Sequence, residues 1–533
     1  MNHDYLAFRK TGYFSSLICD YLDGKPELKS FYNRFPRLEN FKAQINQKEL
    51  SFSTENRKVL VSVLKSQYEN IESSHITNQH IDSLKSENTF TITTGHQLNL
   101  FTGPLYFLYK IVSAINLSNE LKTKYPEYNF VPVYWMATED HDFDEINYFN
   151  FKGKKFQWNR DASGAVGELS MEGLDAVLDL FSQDLGSGTH AEDLKTLFRE
   201  AYLDHDNLAD ATRFLANALF KDYGLVIVDA NDSDLKRLFI PQMETELQNQ
   251  TSFDAVSKTN EALSSISKDY KIQVNPREIN LFYLTKNLRE RIVFQDAVYQ
   301  VLNTNITWSK SEIEKELLAH PERFSPNVIM RPLYQEVILP NLCYIGGGGE
   351  LAYWMQLKDY FEAVSIPFPL LLLRNSVLIQ TEKQAVKLDT LNISREDLFL
   401  KKPSLINKKV REISNVDIDF SSQKEHLKQQ FEDLFKLAEQ TDASFIGAVK
   451  AQEVKQIKGL ENLEKRLLKA QKLKLSDEVS RMAAIQTELF PNGSLQERNA
   501  NFSEFYLEYG KALIPELIQA LKPLKSEFLV ITL

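Results

Sequence analysis

The sequence predicts an α/β fold in which helices cover both faces of a parallel sheet. The first indication is a set of short β-rich runs separated by helical stretches: TFTITTG (89–95), FVPVYWMAT (130–138), YGLVIVDA (223–230) and IPFPLLLLR (366–374). These runs are almost continuously apolar, as strands buried on both faces are. A heptad-like segment nearer the C-terminus adds a long helical arm. Such folds bind ligands at the carboxyl ends of their strands.

Changes of pattern divide the chain into four parts. Residues 1–88 are polar and mostly helical in pattern, and we expect them to pack on the core. Residues 89–380 contain the predicted strands and form that core. Residues 381–490 form the arm. Residues 491–533 regain aromatic side chains and end in EFLVITL, which we expect to return to the core as a final strand.

Apolar residues in the arm repeat at the three- and four-residue spacing of a coiled coil. The two sets are Leu427, Phe431, Leu434 and Ala438, spaced 4, 3 and 4, and Leu460, Leu463, Leu467 and Ala470, spaced 3, 4 and 3. One interpretation is a long helical hairpin that could also carry dimerisation. The other is an amphipathic helix packed on its own domain, and the spacing does not separate the two.

The composition excludes several classes of protein. A hydrophobic content of 43% in 533 residues indicates a large globular core. The formal net charge of −11 argues against nucleic acid as the main partner, because such binding rests on Lys and Arg. Cys19 and Cys343 are the only cysteines, which excludes a disulfide framework and favours a reducing cytoplasm. We expect neither secretion nor membrane spanning, since no signal-peptide pattern or long apolar run is found.

The first candidate site is TTGHQLNLFTGPLYFLYK, residues 93–110, where a strand is predicted to turn directly into a helix. Pro104 suits the first helical position and Thr102 can cap the helix, whose buried stripe would be Leu105, Leu108, Val112 and Ile115. Free N–H groups at a helix start attract anions, and glycines let them approach. The candidates are Thr94, Gly95, His96, Gln97, Asn99, Thr102 and Gly103. The alternative is an ordinary glycine turn with a satisfied histidine.

The second candidate site is WMATEDHDFDEIN, which places Glu139, Asp140, His141, Asp142, Asp144 and Glu145 at the carboxyl end of a predicted strand. Close carboxylates repel one another unless a cation, an ammonium group or hydrogen bonds compensate them, so the cluster implies a positively charged ligand. An EF-hand is excluded, because Glu145 and Phe151 occupy its glycine and glutamate positions. A Mg²⁺ site, an amine site and a solvated acidic turn stay open, and no metal ligand is assigned.

The third candidate site, residues 325–358, has four consecutive glycines before the helical pattern ELAYWMQLK. Such a loop can offer N–H groups to an anion, although it matches neither common phosphate-binding glycine motif. Arg331 and Arg374 could bind a carboxylate or phosphate, or form structural ion pairs. The candidates are Asn327, Arg331, Gly346, Gly347, Gly349, Glu350, Tyr353 and Arg374. We expect Cys343 to be buried rather than nucleophilic.

In this order the three segments resemble the bacillithiol biosynthesis cysteine-adding enzymes, the BshC family. The resemblance rests on TGHQLNLFTGPLYFLYK, VPVYWMATEDHDFDEIN and FSPNVIMRPLYQEVILPNLCYIGGGGELAYW. It implies a Rossmann-like core with inserted connecting segments, akin to nucleotide-binding class I synthetases, and a coiled-coil arm used in dimerisation. It also implies a cytoplasmic ligase that joins cysteine to the amine of glucosaminyl-malate.

The residue chemistry can be fitted to that reaction. A free carboxylate is a poor electrophile, so we expect ATP to activate it. Mg²⁺ is a further candidate cofactor. The bend at 93–104 and the loop at 346–350 would hold anionic groups, assisted by Arg331 and Arg374. Glu139, Asp140 and Asp142 would bind an ammonium group or Mg²⁺, and His96 or His141 would accept the amine proton. The catalytic candidates are therefore His96, Asp140, His141 and Asp142.

The expected partners follow from this hypothesis. They are cysteine, glucosaminyl-malate and a nucleotide, together with a second copy of the chain bound through the arm, and they include neither nucleic acid nor membrane. One alternative is a nucleotide- or thiol-binding regulatory scaffold that performs no chemistry. Another is a nucleotidyltransferase that acts on a different small acceptor. The crowding of titratable groups speaks against the scaffold.

Overall fold

The computed structural model describes residues 2–533 and is built around a parallel sheet. Its strands, in chain order, are β1 (Asn2–Leu6), β2 (Thr89–His96), β3 (Asn129–Met136), β4 (Tyr148–Phe151), β5 (Lys154–Gln157), β6 (Val226–Asp229), β7 (Leu281–Thr285), β8 (Leu288–Gln295), β9 (Val298–Val301), β10 (Thr307–Trp308), β11 (Phe324–Pro326), β12 (Asn341–Gly346), β13 (Leu370–Leu373), β14 (Val377–Gln380) and β15 (Phe528–Thr532). All four predicted strands are present, as β2, β3, β6 and β13.

The central sheet has the order β13-β12-β2-β3-β6, and every neighbouring pair is parallel. The chain runs outward from β2 through β3 to β6, then returns to the other side of β2 with β12 and β13. The strand order therefore reverses between β2 and β12, and ligands bind at such reversals in open α/β sheets. Strand β12 was not predicted as a strand, because a six-residue apolar run is also compatible with a buried helix.

The N-terminal segment packs on this sheet through short helices. They are α1 (Phe8–Thr11), α2 (Ser16–Leu22), α3 (Phe41–Glu49), α4 (Thr54–Gln67) and α5 (His75–Ser83). Phe41 and Ile45 of α3 share a buried apolar cluster with Ile92 of β2 and with Cys343 and Ile345 of β12. The predicted burial of Cys343 is thus confirmed, and burial raises the pKa of its thiol.

The helices between the strands complete the core. They are α6 (Tyr106–Lys124), α7 (Phe143–Ile146), α8 (Leu174–Leu185), α9 (Thr189–Tyr202), α10 (Leu208–Phe220), α11 (Ser233–Leu238), α12 (Ile240–Asn249), α13 (Thr251–Ile266), α14 (Lys310–Ala319), α15 (Met330–Ile338), α16 (Gly348–Gln356) and α17 (Lys358–Ala363). The stripe predicted for α6 is confirmed, since Leu105, Leu108, Val112 and Ile115 are buried.

The predicted start of α6 is wrong. The helix begins at Tyr106, and no side chain caps it. Thr102 lies instead in a single 3-10 turn (Leu100–Thr102), where Phe101 and Thr102 have φ angles of 47° and 68°. Because these left-handed residues reverse the chain before the helix, the Thr102 hydroxyl is buried without a partner and cannot serve as a cap.

An antiparallel sheet is inserted between β6 and β12, with the order β10-β9-β8-β7-β11. The resemblance predicted inserted segments here but not their strands. A third sheet places β15 between β1, which is antiparallel to it, and β14, which is parallel. The C-terminal residues therefore do form the predicted final strand, but it belongs to this separate sheet and not to the central one.

The C-terminal region is helical. Its helices are α18 (Glu382–Thr390), α19 (Arg395–Leu398), α20 (Lys402–Ile413), α21 (Ser421–Ala438), α22 (Ala443–Lys474), α23 (Ser476–Leu489), α24 (Gln496–Asn499), α25 (Phe502–Tyr509) and α26 (Leu513–Ala520). Helices α21 and α22 pack against each other as a hairpin, and at 1.5 Å per residue α22 is about 48 Å long. Within the described residues, no helix is both long and apolar enough to cross a membrane.

The hairpin differs from its predicted stripe at three positions, one of which is Ala470, an exposed residue of α22. Phe431, Ala438 and Val449 are buried between α21 and α22, with Leu427 and Phe435 packed beside them. Leu434 and Leu463, which the heptad pattern placed inside, are 42% and 53% exposed. Phe435 lies where Leu434 was expected, because a helix of 3.6 residues per turn drifts from a seven-residue repeat.

Replacing one buried and one exposed apolar residue of α21 tests this register. We expect Phe431→Ala to lower the free energy of unfolding by roughly 3 kcal/mol through the cavity it leaves. Leu434→Ala should change it by less than about 0.5 kcal/mol, since the side chain already faces solvent. Chemical denaturation of both variants measures the difference. Equal losses for the two would contradict the register.

Candidate active site

A cavity of about 730 Å³ lies at the carboxyl ends of β2, β3 and β12, where the strand order reverses. The three candidate segments all reach it. The predicted residues that line it are Gly95, His96, Gln97, Glu139, Asp140, His141, Asn327, Arg331, Gly347, Gly349, Glu350, Tyr353 and Arg374. Parallel strands bring these segments together because their carboxyl ends meet at one edge of the sheet.

Six predicted site residues do not line the cavity: Thr94, Asn99, Thr102, Gly103, Asp142 and Gly346. The Thr94 hydroxyl donates to the carbonyl oxygen of Ile345 at 2.8 Å, and Asn99 Nδ2 donates to the carbonyl oxygen of Glu145 at 3.2 Å. Both side chains are thus occupied in holding the scaffold. Asp142 is exposed to solvent outside the cavity.

The two glycines among these six serve the backbone rather than a ligand. Gly103 has a φ of 61°, and a Cβ at this position would lie 2.5 Å from the Cβ of Asn99. Gly346 is packed so closely that a Cβ would lie 2.9 Å from Leu351, and its carbonyl accepts the Arg374 backbone N–H at 2.9 Å. Neither position therefore offers an anion the close approach that the sequence suggested.

The acidic segment is compensated from within the protein. Glu139 forms an ion pair with the buried Lys236 of α11. Asp140 Oδ1 accepts the backbone N–H of His141 at 2.8 Å, and Asp140 Oδ2 accepts Gln97 Nε2 at 2.9 Å. For Glu139 and Asp140, the compensation that the sequence required therefore comes from the protein itself. Within residues 2–533, no group of three or more His, Cys, Asp or Glu side chains has an arrangement that fits a metal ion.

The cavity as a whole carries an excess of positive charge. Its acidic lining residues are Glu139, Asp140 and Glu350, whereas its basic ones are Lys110, Arg277, Arg289, Arg291, Arg331, Arg374 and Arg498. Arg277 and Arg498 are exposed at the rim, and with Arg291 they form no side-chain hydrogen bond or ion pair within the described chain. The cavity is therefore suited to an anionic ligand.

The glycine loop supplies backbone donors to this cavity. Helix α16 begins at Gly348, so the N–H groups of Gly348, Gly349 and Glu350 belong to its first turn and have no acceptor among residues 2–533. The preceding N–H, that of Gly347, donates to Glu350 Oε2 at 2.7 Å. The free N–H groups and the positive end of the helix dipole together favour an anion here.

Arg374 combines the two roles that the sequence left open. Its Nη2 forms an ion pair with the buried Glu497 of α24 at 2.8 Å, and its Nη1 donates to the carbonyl oxygen of Asn375 at 2.9 Å. Its Nε is also buried but has no partner, and it lies 3.9 Å from the point where a Cβ of Gly347 would stand. One edge of the guanidinium is thus structural, and its Nε remains free beside the glycine loop.

Arg331 also lines the cavity and is held by aromatic rings. Its guanidinium carbon is 5.8 Å from the ring centre of Trp135 and 5.7 Å from that of Tyr344. Nη2 donates to the Tyr353 hydroxyl at 3.2 Å, and Nη1 donates to Gln335 Oε1 at 3.3 Å. None of these partners carries a negative charge, so the positive charge of Arg331 remains available to a ligand.

Two side chains tie the three segments together. Gln97 Nε2 donates to Asp140 Oδ2 and to Glu145 Oε2, both at 2.9 Å, which links the first bend to the acidic segment. Lys110 Nζ donates to the carbonyl oxygen of Gly95 and to Glu350 Oε2, both at 2.7 Å, which links the same bend to the glycine loop. Gln97 was predicted to bind a ligand directly, but its amide nitrogen is engaged in this link.

The predicted site residues did not include Lys110, Arg289 or the rim arginines, all of which line the cavity. Lys110 could have been found, because it is the only charged residue in the helical stretch 105–117. Arg289 could not, since nothing in the sequence indicates that β8 folds back over the acidic segment. There Arg289 Nη1 lies 2.6 Å from His141 Nδ1.

Both candidate histidines have a pKa below the ordinary value for histidine. Burial, aided by the nearby Lys110 cation, lowers the pKa of His96 to about 3. The side chain is 8% exposed, and its Nε2 has no partner. Burial and the Arg289 cation also lower the pKa of His141. His96 is therefore neutral near pH 7, and it can donate and accept hydrogen bonds without carrying a charge.

Two family models match the chain. The model described as "Bacillithiol biosynthesis BshC, N-terminal Rossmann-like domain" matches residues 1–375. The model described as "Bacillithiol biosynthesis BshC, C-terminal coiled-coil domain" matches residues 377–533. The predicted Rossmann-like core and coiled-coil arm are thereby confirmed.

Relatives align over the full length of the chain, and three of them bear the name "Putative cysteine ligase BshC". The protein of Flavobacterium johnsoniae is 64% identical, with 100% of both chains covered. That of Christiangramia forsetii is 60% identical, over 99% of this chain and 98% of its own. That of Flavobacterium psychrophilum is 57% identical, over 100% and 99%. The chain belongs to the bacillithiol biosynthesis BshC family.

Proposed function

We propose that the protein is a cysteine ligase of bacillithiol biosynthesis, which joins the carboxyl group of cysteine to the amine of glucosaminyl-malate with activation by ATP. The observation that carries the proposal is the cationic cavity at the strand-order reversal, which is lined by the first turn of α16 and by Arg374, whose Nε has no partner. The names of the relatives support the cysteine ligase activity.

The chemistry of amide formation explains why such a cavity is needed. A carboxylate reacts with an amine only after its oxygen has become a good leaving group, which a phosphoryl or adenylyl group from ATP provides. In the step that follows, the amine nitrogen bonds to the acyl carbon, and the bond to the phosphoryl oxygen breaks with its electron pair. Preformed N–H donors and arginines stabilise the negative charge on that oxygen.

The size and charge of the cavity agree with these substrates. A volume of about 730 Å³ is within the usual range for small-molecule sites. ATP and the malate group are both polyanions, and the basic lining residues exceed the acidic ones. No group of three or more His, Cys, Asp or Glu side chains in the described residues is arranged to hold a metal ion, so any Mg²⁺ would bind mainly through the phosphates of the nucleotide.

The pKa of His96 narrows the choice of the group that accepts the amine proton. A base works best when its pKa is near the working pH, so a pKa of about 3 makes His96 unsuitable as the acceptor of the amine proton. We therefore assign His96 a hydrogen-bonding role and keep His141 as the candidate acceptor. Glu139 and Asp140 remain candidates to orient the amine, since both line the cavity.

We also propose that the protein forms a homodimer through its arm. Helices α21 and α22 expose apolar side chains, among them Leu437 at 53%, Phe445 at 43% and Leu473 at 72%. Burial of such side chains against a second copy would remove apolar surface from water.

Incubation of the purified protein with cysteine, glucosaminyl-malate and ATP tests the proposed reaction. We expect mass spectrometry to detect the cysteinyl amide product together with AMP or ADP. Nucleotide transfer onto another acceptor without amide formation would support the nucleotidyltransferase alternative. Binding without any turnover, together with normal thiol levels in cells lacking the gene, would support the regulatory scaffold.

A pair of variants in the acidic segment serves as the control for this assay. The Asp140 carboxylate accepts hydrogen bonds from Gln97 and from the backbone N–H of His141 at the cavity wall. Asp140→Asn removes its negative charge and should lower turnover about tenfold or more. Asp144→Asn changes an exposed residue of the same segment and should leave turnover within about twofold. Equal rates for the two variants would contradict the assignment of Asp140.

The neutral state of His96 predicts a specific dependence of stability on pH. Its pKa in the folded protein, about 3, is below the ordinary value of about 6.5, so between these values the unfolded chain binds a proton that the folded one does not. Stability therefore falls as the pH drops below about 6.5. From pH 7 to pH 5, wild type should lose about 2 kcal/mol more stability than His96→Gln. If the free energy of unfolding fell equally for the two proteins between pH 7 and pH 5, the lowered pKa of His96 would be contradicted.

A further inference from the structure

Lys110 is a buried basic residue in the wall of the cavity, and the proposed reaction assigns it no role. It is 3% exposed, and its Nζ donates to the carbonyl oxygen of Gly95 and to Glu350 Oε2, both at 2.7 Å. Gly95 belongs to the end of β2, and Glu350 belongs to the first turn of α16. One ammonium group therefore joins the two segments on either side of the strand-order reversal.

Glu350 connects Lys110 to the glycine loop through hydrogen bonds. Its Oε2 accepts the Gly347 N–H at 2.7 Å as well as Lys110, and its Oε1 accepts the Tyr344 hydroxyl at 2.8 Å. Although burial acts to raise it, Lys110 and these donors hold the pKa of Glu350 below its usual range. Four consecutive glycines have no side chains of their own to fix their orientation, so this carboxylate provides it.

Two independent sets of donors lie at the oriented loop, the second of them 3.9 Å from the position that a Cβ of Gly347 would take. The first set is the N–H groups of Gly348, Gly349 and Glu350, at the start of a nine-residue helix. The second is Arg374 Nε, in a side chain that is 3% exposed and lacks a partner for this nitrogen. An oxyanion of a phosphate or a carboxylate could accept from both, provided the loop keeps its position relative to β2.

We propose that Lys110 is a positioning residue, which acts through Glu350 and Gly95 to hold the α16 N-terminus and Arg374 Nε in register for one bound oxyanion. This inference rests on the proposed function, because the anion belongs to ATP or to glucosaminyl-malate. In this role Lys110 acts through its two hydrogen-bond partners and does not need to contact the ligand.

Lys110→Met tests the proposal through anion binding, with tripolyphosphate and glucosaminyl-malate as separate calorimetric probes. We expect the variant to bind at least one of them about tenfold more weakly than wild type. Loss for tripolyphosphate alone identifies a phosphate site, and loss for glucosaminyl-malate alone identifies a carboxylate site. Affinities within about twofold of wild type for both probes would overturn the proposal.

A double variant separates positioning from simple charge compensation. Lys110→Met leaves Glu350 without its ion-pair partner, and adding Glu350→Gln removes that uncompensated charge. We expect Lys110→Met/Glu350→Gln to regain melting temperature but not anion affinity. If the double variant also regained wild-type affinity, Lys110 would only neutralise Glu350, and the proposal would be wrong.

Lys48 provides a matched control and keeps the two proposals distinguishable. It is a buried lysine paired with Glu336 at 3.0 Å, and it does not line the cavity. Lys48→Met should lower the melting temperature yet keep anion affinity within about twofold of wild type. Wild type that binds anions in a Lys110-dependent way but forms no amide would refute only the proposed ligase. Wild type that binds neither probe would refute the positioning role.

Discussion

The reversal of strand order between β2 and β12 is the constraint on which the rest of the site depends. The connections that follow these strands diverge, which leaves a crevice over the carboxyl ends of the sheet. The first bend, the acidic segment and the glycine loop each enter this crevice directly after a strand of the central sheet. Because Lys110 and Gln97 then join neighbouring segments through hydrogen bonds of 2.7 to 2.9 Å, the geometry of the cavity follows from the sheet rather than from flexible loops.

The electrostatics of the site follow from partners that the protein itself supplies. Lys236 neutralises Glu139, backbone N–H groups and Gln97 hold Asp140, and Lys110 pairs with Glu350. A buried carboxylate is tolerated only with such partners, and once they are in place it no longer attracts a second cation. The arginines of the wall and rim have fewer ionic partners, so the charge left for a ligand is positive.

Local sequence patterns predicted the parts of the fold that depend on local interactions. The strands β2, β3, β6 and β13 and the buried stripe of α6 follow from apolar periodicity, and the convergence of three segments follows from the geometry of parallel sheets. Thr102 and Leu434 were misplaced because a left-handed turn and a helix-packing register depend on neighbours that a residue pattern does not contain. For the same reason the sequence placed Asp142 beside its acidic neighbours, and only the folded loop shows it facing solvent. Arg289 reaches the site through a sheet inserted about 150 residues later in the chain, which no local pattern can reveal.

A crystal structure of the protein with glucosaminyl-malate and cysteine would show whether substrate groups bind where the strand order reverses. We expect density in the cavity, with an oxyanion within about 3.2 Å of the Gly348 or Gly349 nitrogen and near Arg374 Nε. Ordered substrate on another surface, with this cavity holding only water, would contradict this expectation.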